Sequence, residues 1–212
     1  MNYRIYNNLT FIHVPKTGGT SIGEWIASGA HEHRKLFDAD HVSFFLIDEV
    51  YKKDLFAVVR NPYDRLVSYY YHYGNMIHNK SQRDVEIFNK QMEEWHKGFK
   101  NFVFNCKYFT WRKSVLNSPF PYADGSQWIA NPQIKYIGTD LENFTIMRFE
   151  NLEKDFELMQ HRLNDYRPLP EKNTTNSKPL KRGPWQDYYD DETREEVYKY
   201  WQMDFELLGY AP

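Results

Sequence analysis

Leu9-Thr10-Phe11-Ile12-His13-Val14-Pro15-Lys16-Thr17-Gly18-Gly19-Thr20-Ser21 joins a short β-rich run to a glycine-rich turn. The run Leu9 to Val14, with proline just after it, reads as a buried strand. Pro15 to Gly19 reads as a loop, and Ile22, Trp25 and Ile26 have the spacing of a helix that starts near Thr20. Such a junction aims backbone N–H groups and the positive end of a helix at one point. Two adjacent glycines let that backbone approach a phosphate closely. Lys16 adds a point charge, and Thr17, Thr20 and Ser21 add hydroxyls. The stretch is therefore predicted to be an anion-binding βα turn. It is not a Walker A loop, in which the lysine follows the glycines; here it precedes them.

Working outward, Leu55-Phe56-Ala57-Val58-Val59 is a continuous apolar run too short for a helix, and so a buried strand. Asn61 then suits a helix N-cap and Pro62 a first helical position, predicting a helix from Pro62 to about Tyr73. Arg60 falls at the carboxyl end of the strand, where α/β folds bind ligands. Arg65 and Ser68 share a helical face, and Arg60 and Ser68 are predicted to converge on one phosphate. Arg65 stays open between a phosphate contact and an ion pair with Asp64 or another acid. The strand ends in arginine, so no acidic residue there serves the magnesium ion that a kinase needs.

Residues 83–100 carry Val85, Phe88, Met92, Trp95 and Phe99 at helical spacing. Lys135 to Gly138 and Thr145 to Phe149 read as short strands, and Leu152 to Leu163 as an amphipathic helix. Residues 168–187 read as a long polar loop, and Asp190 to Leu208 as a final helix stopped by Gly209. Strand–loop–helix units dominate, which predicts an α/β fold around a mainly parallel sheet.

A chain of 212 residues suits a single domain, 1–212, with a real core. Aromatic residues make up 18%, and 27 Lys+Arg against 29 Asp+Glu leave a net charge of −2. Global disorder is excluded, and a generally basic nucleic-acid binder is disfavoured, so any anion site must be local. The single cysteine, Cys106, rules out an intramolecular disulfide framework. No run of about 18 apolar residues predicts a transmembrane helix, and no signal-peptide layout opens the chain. Sequons at Asn8, Asn79, Asn143 and Asn173 then read as chance, and the expected location is cytoplasmic.

Pro15-Lys16-Thr17-Gly18-Gly19-Thr20-Ser21 resembles the 5′-phosphosulfate loop of sulfotransferases that use 3′-phosphoadenosine 5′-phosphosulfate (PAPS). Arg60 followed by Ser68 resembles their 3′-phosphate motif. The spelling Arg60-Asn61-Pro62-Tyr63-Asp64-Arg65-Leu66-Val67-Ser68-Tyr69-Tyr70 is most similar to the carbohydrate-type family, sulfotransferase family 2, which includes heparan sulfate 2-O-sulfotransferases. Arg148-Phe149-Glu150-Asn151-Leu152-Glu153-Lys154-Asp155-Phe156 and Asp204-Phe205-Glu206-Leu207-Leu208-Gly209-Tyr210 resemble later elements of that family.

The resemblance implies a P-loop-like three-layer fold, with the sheet flanked by helices, and metal-independent transfer of a sulfuryl group from PAPS to a hydroxyl or amine of a carbohydrate, leaving adenosine 3′,5′-bisphosphate (PAP). It implies nucleotide contacts from Lys16, Thr17, Gly18, Gly19, Thr20, Ser21, Arg60 and Ser68, with Lys16 stabilising the leaving phosphate. It implies His41, in Asp40-His41-Val42-Ser43-Phe44, as the base that takes the acceptor's proton, with His31 and His33 as rivals. His13 reads as a packing or loop-orienting residue, and His72 and His78 as candidates for the acceptor side. Lys178, Lys181 and Arg182 form either a loop that contacts the 3′-phosphate or an acidic acceptor, or a solvated basic one. Trp111, Trp128 and Trp185 are candidates to stack on adenine. Two other readings stand beside this one: a P-loop phosphotransferase, and a non-catalytic nucleotide- or glycan-binding protein.

Overall fold

The computed structural model describes residues 3–6, 9–29, 54–78, 93, 95–106, 131–170 and 182–212. Their contacts fall into two compact units. The first combines Met1–Asn61, Gln133–Thr174 and Glu206–Tyr210; the second combines Pro62–Pro132, Thr175–Phe205 and Ala211–Pro212.

The first unit is a mixed α/β body. Its sheet has the order β1 (Tyr3–Tyr6), β2 (Leu9–Ile12), β3 (Leu55–Val59), β4 (Phe144–Arg148). β2, β3 and β4 are parallel, with Thr10 opposite Leu55 and Leu55 opposite Phe144. β1 is an antiparallel edge strand, with Tyr3 opposite Ile12. The central strand β3 is buried at all five positions, as expected for a parallel strand covered on both faces.

Its side chains alternate between two cores. Leu55, Ala57 and Val59 pack with Ile12, Val14, Ile134, Ile137 and Leu208. Phe56 and Val58 pack with Phe11, with Ile22, Trp25 and Ile26 of α1 (Gly19–Gly29), and with Phe156 and Met159 of the helix Leu152–Leu163. The expected three layers are therefore present: helices, a mainly parallel sheet, and helices. A short apolar run with period two supplies both interfaces at once, each fully buried large side chain contributing roughly 1.5–3 kcal/mol.

The second unit is helical and aromatic. α2 (Pro62–His78) extends past the expected end near Tyr73. α3 (Phe99–Asn105) follows Gly98, whose φ of 101 breaks the helical path. The expected continuous helix over 83–100 thus fails at its end: Trp95 precedes the break and Phe99 starts a new helix, although the apolar spacing runs through both. Most of that stretch lies outside the described residues. Tyr70 packs against Trp95, Phe99 and Phe102, and Tyr63 against Trp185, Tyr189 and Phe205.

The remaining helices are α4 (Ile134–Ile137), α5 (Leu152–Leu163) and α6 (Asp191–Leu208). α4 corrects the expected strand at Lys135 to Gly138. Ile134 and Ile137 stand one turn apart on the buried face, the N–H groups of Tyr136 and Ile137 donate to the Gln133 carbonyl, and Gly138 closes the turn with φ 82. The β-branched and aromatic composition of this stretch favours a strand, but the buried face at helical spacing prevails. The proline-rich stretch 117–125 and part of the polar loop, 171–181, lie outside the described residues; within the loop, Trp185–Tyr188 forms a 3-10 turn. α6 starts from a reciprocal cap, in which the Thr193 N–H donates to Asp190 Oδ1 and the Asp190 N–H donates to Thr193 Oγ1. Among the described residues, no helix is long and apolar enough to cross a membrane.

Two outcomes follow from this packing. Phe56→Ala, which empties a fully buried ring position, should lower stability by about 3–5 kcal/mol in denaturant titration. Leu158→Ala, at a site 68% exposed, should shift it by no more than roughly 0.5 kcal/mol. Burial also raises the phenols of Tyr63, Tyr70, Tyr71 and Tyr189 above their ordinary value of 10.0. The unfolded chain releases these protons near that value and the folded chain holds them. The stability these phenols contribute should therefore be fully present below about pH 10 and be lost progressively above it, with the phenolate absorbance of the folded protein rising at higher pH than that of the unfolded chain. Ionisation of these tyrosines in the intact fold at the same pH as in the unfolded chain would contradict this.

Candidate functional site

The phosphate-loop candidate keeps its shape through backbone geometry. Lys16 has φ 66 and Gly18 has φ 84, while Thr17 between them stays negative. Such alternation turns successive N–H groups toward one concave side, the arrangement that receives anions. Thr17 is fully buried and its hydroxyl donates to the Val14 carbonyl at 2.8 Å, so it shapes the loop from inside. The Ser21 N–H donates to the Gly18 carbonyl at 3.1 Å, and Ser21 itself is buried. Thr20 is exposed on the first turn of α1.

Both glycines are closely packed by their neighbours, Gly18 also having positive φ. A Cβ on Gly18 would stand 3.2 Å from the Phe149 ring, and one on Gly19 would stand 2.0 Å from His13 Cδ2. His13 therefore fills the space beside the first helical residue, and its ring stacks on Phe11. The packing or loop-orienting reading of His13 is the one this geometry supports.

Arg60, at the end of β3, is 3% exposed. Its Nη1 donates to the Lys16 carbonyl at 3.1 Å, and its guanidinium lies over the Phe149 ring at 3.9 Å. Its backbone is held by Gln133: the Arg60 N–H donates to Gln133 Oε1 at 2.9 Å, and Gln133 Nε2 donates to the Arg60 carbonyl at 2.8 Å. Next along, the Asn61 N–H donates to Glu150 Oε1 at 2.6 Å, and the other oxygen of that carboxylate accepts from the Tyr210 hydroxyl at 3.1 Å. Burial first, and then the Glu150 charge, hold the Tyr210 phenol well above its ordinary value. Arg148 lies over the Tyr210 ring and donates to the Leu208 carbonyl at 2.5 Å.

The lysine-bearing βα loop and the buried arginine at the next strand end thus meet through the Arg60–Lys16 hydrogen bond. A model of the sulfotransferase family matches residues 5–211. This chain belongs to the sulfotransferase family. No curated protein matches it.

The other residues expected in this sulfotransferase's site are distributed as follows. Ser68 is half-buried on α2. Arg65, on the same helix, is 2% exposed; it donates to the Asn131 carbonyl at 2.8 Å and to the Tyr69 hydroxyl at 3.2 Å. Asp64, one of the partners considered for it, pairs with Arg182 at 2.7 Å. That ion pair anchors one member of the basic loop to the start of α2. Trp185 stacks on Tyr63 with the rings 12° from parallel, which occupies one of its faces. His72 is half-buried on α2. His41, His31, His33, Lys178, Lys181, Trp111 and Trp128 lie outside the described residues, as does the side chain of His78.

Gln133, Phe149 and Glu150 escaped the sequence reading as site residues. In sequence, the segment Arg148 to Phe156 carries only a family resemblance. Its side chains touch Gly18, Arg60, Asn61 and Tyr210, and the Arg148 N–H donates to Asp155. Among the described residues, no three His, Cys, Asp or Glu side chains gather as a metal site.

Gly19→Ala should destabilise the protein by about 1–3 kcal/mol through overpacking against His13. Adding His13→Ala should recover much of that loss in thermal unfolding. Failure of the double variant to recover would mean that the His13 contact is not what requires glycine there.

Proposed function

We propose that this sulfotransferase uses PAPS as donor and a carbohydrate hydroxyl or amine as acceptor. The observation that carries this reading is the loop at 15–21. It combines a positive-φ lysine, two closely packed glycines, one of them at positive φ, and the first turn of an 11-residue helix. These features fit a phosphosulfate, because bare backbone donors and one lysine suit a compact anion.

PAPS supplies the activated sulfuryl group. Lys16 and the N–H groups that open α1 hold the 5′-phosphate side and stabilise the charge that grows on it. Arg60 and Ser68 are the residues for the 3′-phosphate, by the family's motif. His41 is the residue for accepting the acceptor's proton, since a group titrating near neutral pH suits that task. The reading requires no metal ion. The in-line geometry is by analogy with phosphoryl transfer.

Thermal unfolding with PAP, ATP and Mg-ATP tests the nucleotide assignment. A ligand at a hundred times its dissociation constant adds about 2.7 kcal/mol. PAP should raise the unfolding temperature clearly, and Mg-ATP should not; the reverse order would favour a phosphotransferase. Incubation with PAPS and a glycan panel, read by mass spectrometry, should show sulfated product. Lys16→Ala should reduce turnover by roughly 100-fold or more, in keeping with loss of one preorganised charge contact. His41→Ala should keep PAP binding and lose most transfer, and undiminished turnover would remove His41 from the base role.

A further inference from the structure

We propose that Arg60 is a positioning residue for the phosphosulfate loop, and that Gln133 and Phe149 hold it in that task. The proposal rests on the sulfotransferase reading above. It gives this arginine a second duty beside the 3′-phosphate contact that the family's motif implies.

The guanidinium of Arg60 is buried, not extended from the strand end. It lies flat on Phe149 at 3.9 Å and gives Nη1 to the carbonyl of Lys16 at 3.1 Å. Lys16 is one of two non-glycine residues with positive φ among those described. That conformation is unfavourable for an L-residue and persists only where surrounding contacts impose it. A charge-assisted hydrogen bond onto its carbonyl is such a contact. A guanidinium has five N–H donors, more than one carbonyl takes, so the brace and a phosphate contact are compatible.

Two residues fix the brace itself. Gln133 is 0% exposed, and its amide engages both the N–H and the C=O of Arg60, as a neighbouring strand would. Phe149 serves twice: its ring lies beneath the guanidinium, and it also limits the space at Gly18. Gln133, Arg60 and Lys16 thus form one chain of contacts, and Phe149 ties Arg60 to Gly18. Arg60 then supports binding at the 5′ end of the nucleotide even when the ligand has no 3′-phosphate.

The test is calorimetric titration of the full chain with two nucleotides, PAP and adenosine 5′-phosphosulfate. The second lacks the 3′-phosphate. Wild type is compared with Arg60→Lys, Gln133→Met and Phe149→Leu, and each protein's unfolding temperature without ligand is recorded. Each variant is expected to lose roughly tenfold or more in affinity for both nucleotides. A merely structural role lowers the unfolding temperature and leaves both affinities unchanged, which overturns the proposal. Loss confined to PAP overturns it as well, because Arg60 then serves the 3′-phosphate alone. Wild type that binds PAP but not the phosphosulfate overturns it too, since the loop then holds nothing of its own. Wild type that binds neither overturns the sulfotransferase-site reading on which the proposal stands. Phe149→Leu, at a half-buried position, decides the matter if Gln133→Met does not fold.

Discussion

The hydrogen bond from Arg60 to the carbonyl of Lys16 joins the two parts of the proposed phosphate site. It spans 44 residues of sequence and connects the end of β3 to the loop after β2. Parallel pairing of β2 and β3 sets these ends side by side. The arginine can then turn inward, with its charge desolvated against Phe149 and its backbone secured by Gln133. Breaking one partner of such a buried charge leaves the rest poorly solvated, so these contacts stand together.

The local part of the site was legible in the sequence. A strand, a glycine-rich turn and a helix occur within about twenty residues, and each has its own signature. β3 was legible for the same reason, as an apolar run bounded by polar residues. The supports of the site were not. Gln133 lies 73 residues from Arg60, and Glu150 lies 89 from Asn61. A buried glutamine and a phenylalanine beside a strand carry no pattern that names a distant partner. The misread strand at Lys135 to Gly138 has a related cause: a single helical turn is too short for its period to outweigh β-prone composition. Arg65 was balanced between two readings by sequence, and only its contacts with Asn131 and Tyr69 show how it is buried.

The aromatic abundance is now partly placed. In the second unit, Tyr63, Trp185, Tyr189 and Phe205 form one cluster, with the Arg194 guanidinium over Tyr63 and Trp185. Tyr70, Trp95, Phe99 and Phe102 form another. Edge-to-face and offset pairs of this kind add specific geometry to area burial. Their hydroxyls and indole nitrogens find partners nearby, such as the Trp95 N–H on the Tyr70 carbonyl and the Tyr189 hydroxyl on the Tyr63 carbonyl. These rings build a core, and their number therefore says little about a ligand.

The segment Arg148 to Phe156 also bears on how the protein is made. The anion loop leaves the ribosome well before its supports, since the ring beneath Arg60 and the carboxylate on Asn61 lie far downstream of it in sequence. The Leu208 carbonyl that receives Arg148 comes later still. A nascent chain that has not yet reached β4 has the loop and the arginine without their supports. Maturation of the site is thus a late event, and the early strands must wait with their edges unpaired until β4 arrives. A translation pause in that interval would prolong the period in which they are open to mispairing.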